Sequence, residues 1–167
     1  MLNIITKSSC LEELGIMAHF ARQTNCVRAL EIGTLTGSWC KYMSDALPDT
    51  ELHTIDIVHN NGARDHCKGL PVNFHEKGSD AFFAENDLMF DLVFIDGDHT
   101  YAQSKKDLDN VVKCLSPRGI VVLHDITKSK HAKKQTCART FKEFNHPEFC
   151  TFLVKTNRNL GVIWHRG

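Results

Sequence analysis

The stretch Val27-Arg28-Ala29-Leu30-Glu31-Ile32-Gly33-Thr34-Leu35-Thr36-Gly37-Ser38 changes from the pattern of a strand to the pattern of a helix. Residues 27–32 form a short apolar run of the kind found in buried parallel strands. From Ser38 onward the apolar residues recur at helical spacing. Gly33 and Gly37 flank the turn, where a missing Cβ lets backbone amides approach a ligand beside the helix N-terminus. The stretch predicts a strand-turn-helix unit that binds a nucleotide-like cofactor at residues 31–38.

Helical and extended patterns alternate along the rest of the chain. The spacing predicts helices over residues 10–24, 79–86, 101–115 and 130–144, and strands over 51–57, 72–76, 90–95, 120–123, 149–155 and 160–165. Residues 58–70 are expected to form a loop with a helical turn, and 116–119 a turn before the next strand. This order predicts an α/β fold, a three-layer sandwich with a mostly parallel sheet, in a single domain over residues 1–167.

The composition excludes several classes of partner. The 167 residues carry 20 basic and 20 acidic side chains, so no overall field attracts nucleic acid or an anionic membrane. The seven cysteines form no C-x-x-C pair and are expected to be reduced thiols. The chain has no apolar run of about 18 residues that could cross a membrane. We expect a cytoplasmic protein with no membrane partner.

Acidic side chains follow four of the predicted strands. Glu31, Asp56, Asp96 and Asp125 each stand at a strand end, and His124 precedes the last of them. Carboxyl ends of parallel strands lie along one edge of a sheet, so these groups should meet in one crevice. The simpler alternative is that the strands end where solvent begins.

The turn itself limits the kind of ligand. Asp56 stands about 20 residues beyond the turn, where an acid can accept hydrogen bonds from a ribose diol. The turn lacks both the G-x-G-x-x-G spacing of dinucleotide sites and the phosphate-binding G-x-x-x-x-G-K-[ST] pattern. The acidic Glu31 also disfavours a pyrophosphate. A ribosylated cofactor without phosphates fits these residues better.

Five segments together resemble class I S-adenosylmethionine-dependent methyltransferases: E-I-G-T-L-T-G-S, D-I, G-S-D-A, F-D-L-V-F-I-D-G-D-H and G-I-V-V-L-H-D. The resemblance covers about residues 10–165. It is greatest to small O-methyltransferases related to the caffeoyl-CoA and catechol enzymes and to sugar O-methyltransferases of antibiotic pathways. It implies a Rossmann-like sandwich whose seven-stranded sheet is mostly parallel with an antiparallel last strand.

The resemblance also implies roles for individual residues. Residues around the methionine part of S-adenosylmethionine would be Glu31, Gly33, Thr34, Gly37 and Ser38. Asp56 would hold the ribose hydroxyls. The segment Gly78, Ser79 and Asp80 would lie beside the adenine, and Asp96 would face both the cofactor and the reaction.

The metal-dependent relatives ligate a divalent cation through the acid at Asp96 and an Asp-Asn or Asp-Asp pair after the fifth strand. Here that pair is His124-Asp125. Imidazole favours Zn²⁺ or Mn²⁺ over Mg²⁺, so either Asp96, His124 and Asp125 hold a softer cation or the site has no metal. His99 replaces a lysine of the relatives and is our candidate general base, because histidine can accept a hydroxyl proton near neutral pH.

The expected activity is methyl transfer from S-adenosylmethionine to a hydroxyl of a small molecule or sugar, with or without a divalent cation (Mg, Mn or Zn). One alternative is a binding protein without turnover, since the relatives usually have extra segments that cover the acceptor. A partner subunit, as in a homodimer, could also supply that cover. The other alternative is a nucleic-acid methyltransferase, which only six basic residues between Lys128 and Lys142 favour.

Overall fold

The computed structural model describes residues 11–58, 62–126 and 137–166. Helices and strands alternate through these ranges in the order α1 Leu11–Gln23, β1 Arg28–Ile32, α2 Ser38–Ala46, β2 Glu51–Asp56, α3 Ala63–His66, β3 Val72–Glu76, α4 Ser79–Glu85, β4 Phe90–Ile95, α5 Tyr101–Val111, β5 Leu115–Leu123, α6 Cys137–Glu143, β6 Phe149–Val154 and β7 Leu160–His165.

β1 lies near the middle of a seven-stranded sheet with the order β3-β2-β1-β4-β5-β7-β6. It pairs in parallel with β2 on one side and β4 on the other. β7 runs antiparallel to both of its neighbours, β5 and β6. The strand order reverses between β1 and β4, and ligands of open α/β sheets bind at such a reversal, outside the carboxyl ends of the strands.

Helices cover both faces of the sheet, so the central strands are buried on both sides. One core lies beneath α1 and α2 and includes Leu14, Met17 and Trp39. The other lies on the opposite face and includes Leu108 of α5 and Phe82 of α4. The predicted three-layer, mostly parallel sandwich with an antiparallel last strand is confirmed.

The largest departure from the sequence prediction lies between α5 and β5. The predicted helix extends to Leu115, but α5 ends at Val111 and Leu115 begins β5 opposite Phe90 of β4. The predicted turn at 116–119 lies within β5 as a bulge, since the pairing resumes only at Ile120. An apolar residue at position 115 fits the helical spacing and equally fits a strand, and pairing with β4 decides the outcome.

No helix in the described part of the chain is long and apolar enough to cross a membrane. The six cysteines in the described ranges are all free thiols, as expected.

Candidate active site

A cleft of about 560 Å³ lies at the carboxyl ends of β1, β2 and β4. Its position is the reversal of strand order, and its volume is in the range of small-molecule sites. The residues that line it come from the ends of β1 and β2, from the loops after β1, β2, β3, β4 and β6, and from the first turns of α2 and α4: Glu31, Gly33, Thr34, Leu35, Trp39, Ile55, Asp56, Ile57, Lys77, Gly78, Ser79, Asp96, Gly97, Asp98, His99 and Arg158.

The β1–α2 turn is shaped by close backbone contact with the end of β4. Gly33 has a φ of +100°, and a Cβ at this position would lie 2.5 Å from the carbonyl oxygen of Asp96. Gly37, with a φ of +75°, donates its N–H to the carbonyl of Thr34 at 2.8 Å. The local backbone geometry therefore requires glycine at both positions. Without a Cβ at Gly33, the β1–α2 turn can lie directly against the end of β4.

Glu31 is a buried acid beneath this turn, with 3% of its surface exposed. Its Oε2 accepts hydrogen bonds from Thr54 Oγ1 at 2.8 Å and from Cys40 Sγ at 3.2 Å. Burial raises the pKa of Glu31 well above its usual value, although these two hydrogen bonds oppose the shift. A cationic group in the cleft would restore the charged form.

Asp56 stands at the end of β2 and is tied to the same turn. Its Oδ2 accepts from the backbone N–H of Leu35 at 3.1 Å, and its Oδ1 faces the N–H of Val58 at 3.4 Å. The carboxylate thus has a fixed position at the wall of the cleft and retains accepting capacity for the hydroxyls of a ligand.

At the ends of β4 and β5 the structure brings together charged side chains from distant parts of the sequence. His124 is fully buried, with Nδ1 2.7 Å from Asp96 Oδ1 and Nε2 3.0 Å from Glu13 Oε2. Asp125 Oδ1 lies 3.7 Å from Arg158 Nη1 and 3.9 Å from His124 Nδ1.

The protonation of His124 follows from these contacts. Burial alone would lower its pKa, but the hydrogen bond and charge of Asp96, together with Asp125 and Glu13, raise the pKa of His124 to about 9. These carboxylates favour the imidazolium form of His124.

His99 lines the cleft on the outer side of the same acids. Its Nε2 is 3.8 Å from Asp96 Oδ1, and its Nδ1 is 3.6 Å from Asp125 Oδ2. Nearly half of its side chain is exposed (47%), so a ligand in the cleft can reach the ring.

The cluster Asp96, His124 and Asp125 brings one potential ligand atom from each residue within 4.8 Å of the others, which is close enough to hold a cation. His124 also has a carboxylate oxygen within hydrogen-bonding distance of each ring nitrogen. Ligation through Nδ1 would therefore replace its contact with Asp96 Oδ1, while Nε2 would keep its contact with Glu13.

A profile of a protein family described as a methyltransferase domain matches residues 30–126, more than half of the chain. The chain belongs to this methyltransferase family. The matched segment contains the β1–α2 turn, the acid after β2 and the cluster at the ends of β4 and β5.

Solved structures share the fold of this methyltransferase over nearly its whole length. An O-methyltransferase from Bacillus cereus, in complex with S-adenosylhomocysteine, is 14% identical with a TM-score of 0.83, over 98% of this chain and 85% of that chain. The O-methyltransferase TomG from Streptomyces achromogenes, involved in tomaymycin synthesis and in complex with S-adenosylmethionine, is 17% identical with a TM-score of 0.80, over 96% and 82%. A search of curated protein sequences gives no match.

The structure gathers most of the predicted site residues of the methyltransferase around one cleft, and three of the predicted cofactor residues lie elsewhere. Asp80 lies outside the lining, since its carboxylate pairs with Lys106 at 3.1 Å on the surface. Ser38 is buried, with Oγ 2.9 Å from Thr36 Oγ1, and Gly37 packs against Cys67. Ser38 and Gly37 therefore support the β1–α2 turn and do not line the cleft.

Three residues of the site were not found by sequence reasoning. Glu13 lies on the buried face of α1, where an acid one helical turn before Met17 was the available signal. Arg158 lies in the turn between β6 and β7, far along the chain from the other lining residues. Trp39 fits the apolar helical spacing after Ser38, yet its buried Nε1 has no hydrogen-bond partner in the part of the chain that the structure describes. Such a donor beside a cleft is available to a ligand.

The basic segment that favours nucleic acid lies mostly at residues 127–136, outside the described residues. Arg139, which is described, pairs with Glu143 at 2.8 Å and lies over the ring of Tyr101. Its charge is thus engaged within the protein.

Proposed function

We propose that this methyltransferase transfers a methyl group from S-adenosylmethionine to a hydroxyl of a small molecule or sugar. The observation that carries the proposal is the single cleft lined by Glu31 and Asp56 on one side and by Asp96 and His99 on the other. The solved O-methyltransferases with the same fold, two of them bound to S-adenosylmethionine or its product, support this assignment.

The first side of the cleft has the chemistry to bind the methyl donor. The buried Glu31 suits the ammonium of the methionine part, since a nearby cation favours the carboxylate form and so opposes the effect of burial, which raises the pKa of Glu31. Asp56 would accept from the ribose hydroxyls, and the unpartnered N–H of Trp39 offers a donor to an anionic or carbonyl oxygen of the same ligand. Gly78 and Ser79 would lie beside the adenine.

The second side would hold the acceptor and remove its proton. In the transfer, the acceptor oxygen attacks the methyl carbon in line with the sulfonium, so that the C–O bond forms as the C–S bond breaks. The hydroxyl proton passes to a ring nitrogen of His99. Asp96 and Asp125, at 3.8 and 3.6 Å, stabilise the resulting imidazolium. The remaining contribution of the protein is to hold donor and acceptor at near-attack distance.

The His99 side chain on the acceptor side is 47% exposed, which leaves it accessible for a second subunit or a large acceptor to cover. A homodimer in which one copy covers the acceptor site of the other stays a prediction.

The proposal is tested first by calorimetric titration with S-adenosylmethionine and S-adenosylhomocysteine. We expect one site per chain, and absence of binding would refute the proposal. Transfer of a labelled methyl group is then screened with phenols, catechols and sugars. Binding without transfer to any of these would favour the non-catalytic alternative, and transfer only to an oligonucleotide would favour nucleic-acid methylation.

A further inference from the structure

The buried network Glu13–His124–Asp96 connects α1 to the ends of β5 and β4. Glu13 is 1% exposed and His124 is 0% exposed, whereas the Asp96 side chain is 16% exposed and lines the cleft. Glu13 Oε1 also accepts from Thr156 Oγ1 at 2.7 Å, which ties the network to the β6–β7 turn. Glu13 is not among the residues that line the cleft, so its buried carboxylate needs another explanation.

Carboxylate oxygens lie on both sides of the imidazole of His124, 3.0 Å from Nε2 and 2.7 Å from Nδ1. Ionised carboxylates only accept hydrogen bonds. With both acids ionised, both ring nitrogens donate, and the ring carries a positive charge between Glu13 and Asp96. A buried charge needs such partners on every polar side, because an unpaired ion in the interior is strongly destabilising.

Positive side chains also face the second acid of the cluster. Asp125 lies 3.7 Å from the guanidinium of Arg158 and 3.9 Å from His124. The two carboxylates that a divalent cation would need are thus each next to a fixed cationic side chain supplied by the protein.

We propose that Glu13 is a positioning residue that keeps both ring nitrogens of His124 as hydrogen-bond donors, and that this imidazolium takes the place of a divalent cation beside Asp96 and Asp125. The inference rests on the proposed function for the role of Asp96. The protonation of His124 and the binding of a divalent cation can, however, be measured without methyl transfer. It has a consequence for the substrate. A metal ion would select acceptors that offer two vicinal oxygens, whereas this site needs only one hydroxyl.

The first test uses electron paramagnetic resonance to measure Mn²⁺ binding to the whole protein in the presence of S-adenosylhomocysteine. We expect no saturable binding by the unmodified chain at micromolar Mn²⁺. His124→Asp removes the cation and supplies a hard oxygen ligand next to Asp96 and Asp125, and should strengthen Mn²⁺ binding by about tenfold or more. If the added charge beside Glu13 prevents folding, the double variant Glu13→Gln/His124→Asp replaces it, with the same expectation.

The second test reads the protons of His124 directly, in long-range ¹H–¹⁵N spectra near pH 7. Both ring nitrogens should be protonated in the unmodified chain, and Glu13→Gln should leave one of them without a proton. Thr156→Val is the matched control, because it removes a neighbouring contact of Glu13 and leaves the two contacts of His124 in place.

Three results would overturn the inference. The first is one-to-one binding of Mn²⁺ by the unmodified chain, if Asp96→Asn abolishes that binding. The second is a folded His124→Asp variant, or a folded double variant, that binds Mn²⁺ no better than the unmodified chain. The third is a ring nitrogen of His124 that carries no proton in the unmodified chain. Neither test uses methyl transfer, so failure here is distinct from failure of the proposed function.

Discussion

The donor side of the cleft, at the β1–α2 turn and the end of β2, is built differently from the acceptor side at the ends of β4 and β5. On the donor side, backbone groups near in sequence shape the turn, as in the bond from Gly37 N to the carbonyl of Thr34. On the acceptor side, charged side chains from separate elements do so, and Glu13 and His124 are 111 residues apart. Substitutions on one side should therefore affect properties that those on the other side leave unchanged.

The largest effect should come from His99→Gln on the acceptor side. Removing the proposed general base should lower kcat by about 10³-fold, equivalent to roughly 4 kcal/mol, while the affinity for S-adenosylmethionine stays the same. Single-turnover kinetics and calorimetry measure the two quantities separately. His19→Gln, on the exposed side of α1, is the control and should change neither. An equal loss of donor affinity in His99→Gln would break the division between the two sides.

The next largest effect should come from Gly33→Ala on the donor side. A Cβ here has an unfavourable φ of +100° and would lie 2.5 Å from the backbone oxygen of Asp96. We expect a loss of about 3 kcal/mol in the free energy of unfolding, measured by urea denaturation. Gly69→Ala is the matched control, because its φ is +81° but no atom lies within 4 Å of the added Cβ. It should cost only about 1 kcal/mol, and equal losses in both variants would show that the approach of Asp96 is unimportant.

A third prediction concerns the pH dependence of stability that the acceptor side introduces. The pKa of His124 is raised from 6.5 to about 9, so its charged form stabilises the folded state. This contribution is complete below pH 6.5 and is lost as the pH rises through about 9. It amounts to roughly 3 kcal/mol. We expect the free energy of unfolding to fall over this range in the unmodified chain and to fall less in His124→Asn. Parallel curves for the two proteins would contradict the role given to His124.

The same division explains which features the sequence could predict. The buried runs of β1 and β4 and the helical spacing of α2 are local patterns, so the sandwich and the donor side followed from residues close together in the chain. The end of α5 was placed too late because the apolar Leu115 satisfies helical periodicity and strand pairing equally well, and only contact with Phe90 of β4 distinguishes them.

The acceptor side depended on information that sequence spacing does not contain. The acids at Asp96 and Asp125 were correctly expected to meet near His124, because parallel strands end at one edge. The partner of His124 across the core, Glu13, lies on a helix whose other inward residues are apolar. Its role became visible only when the packing of α1 against the sheet brought its carboxylate to the imidazole.

The smallest effect should come from Asp56→Asn, which tests the donor side alone. The variant keeps the shape of the side chain and an oxygen for the N–H of Leu35, but it loses the charge that would accept from the ribose hydroxyls. We expect S-adenosylmethionine to bind about tenfold more weakly, roughly 1.4 kcal/mol, with kcat at saturation unchanged. Asp80→Asn is the matched control. Its carboxylate pairs with Lys106 away from the cleft, so affinity should stay the same. If Asp80→Asn weakened binding as much as Asp56→Asn, the adenine would extend over α4, and the donor side would depend on surface charge as well as on the backbone turn.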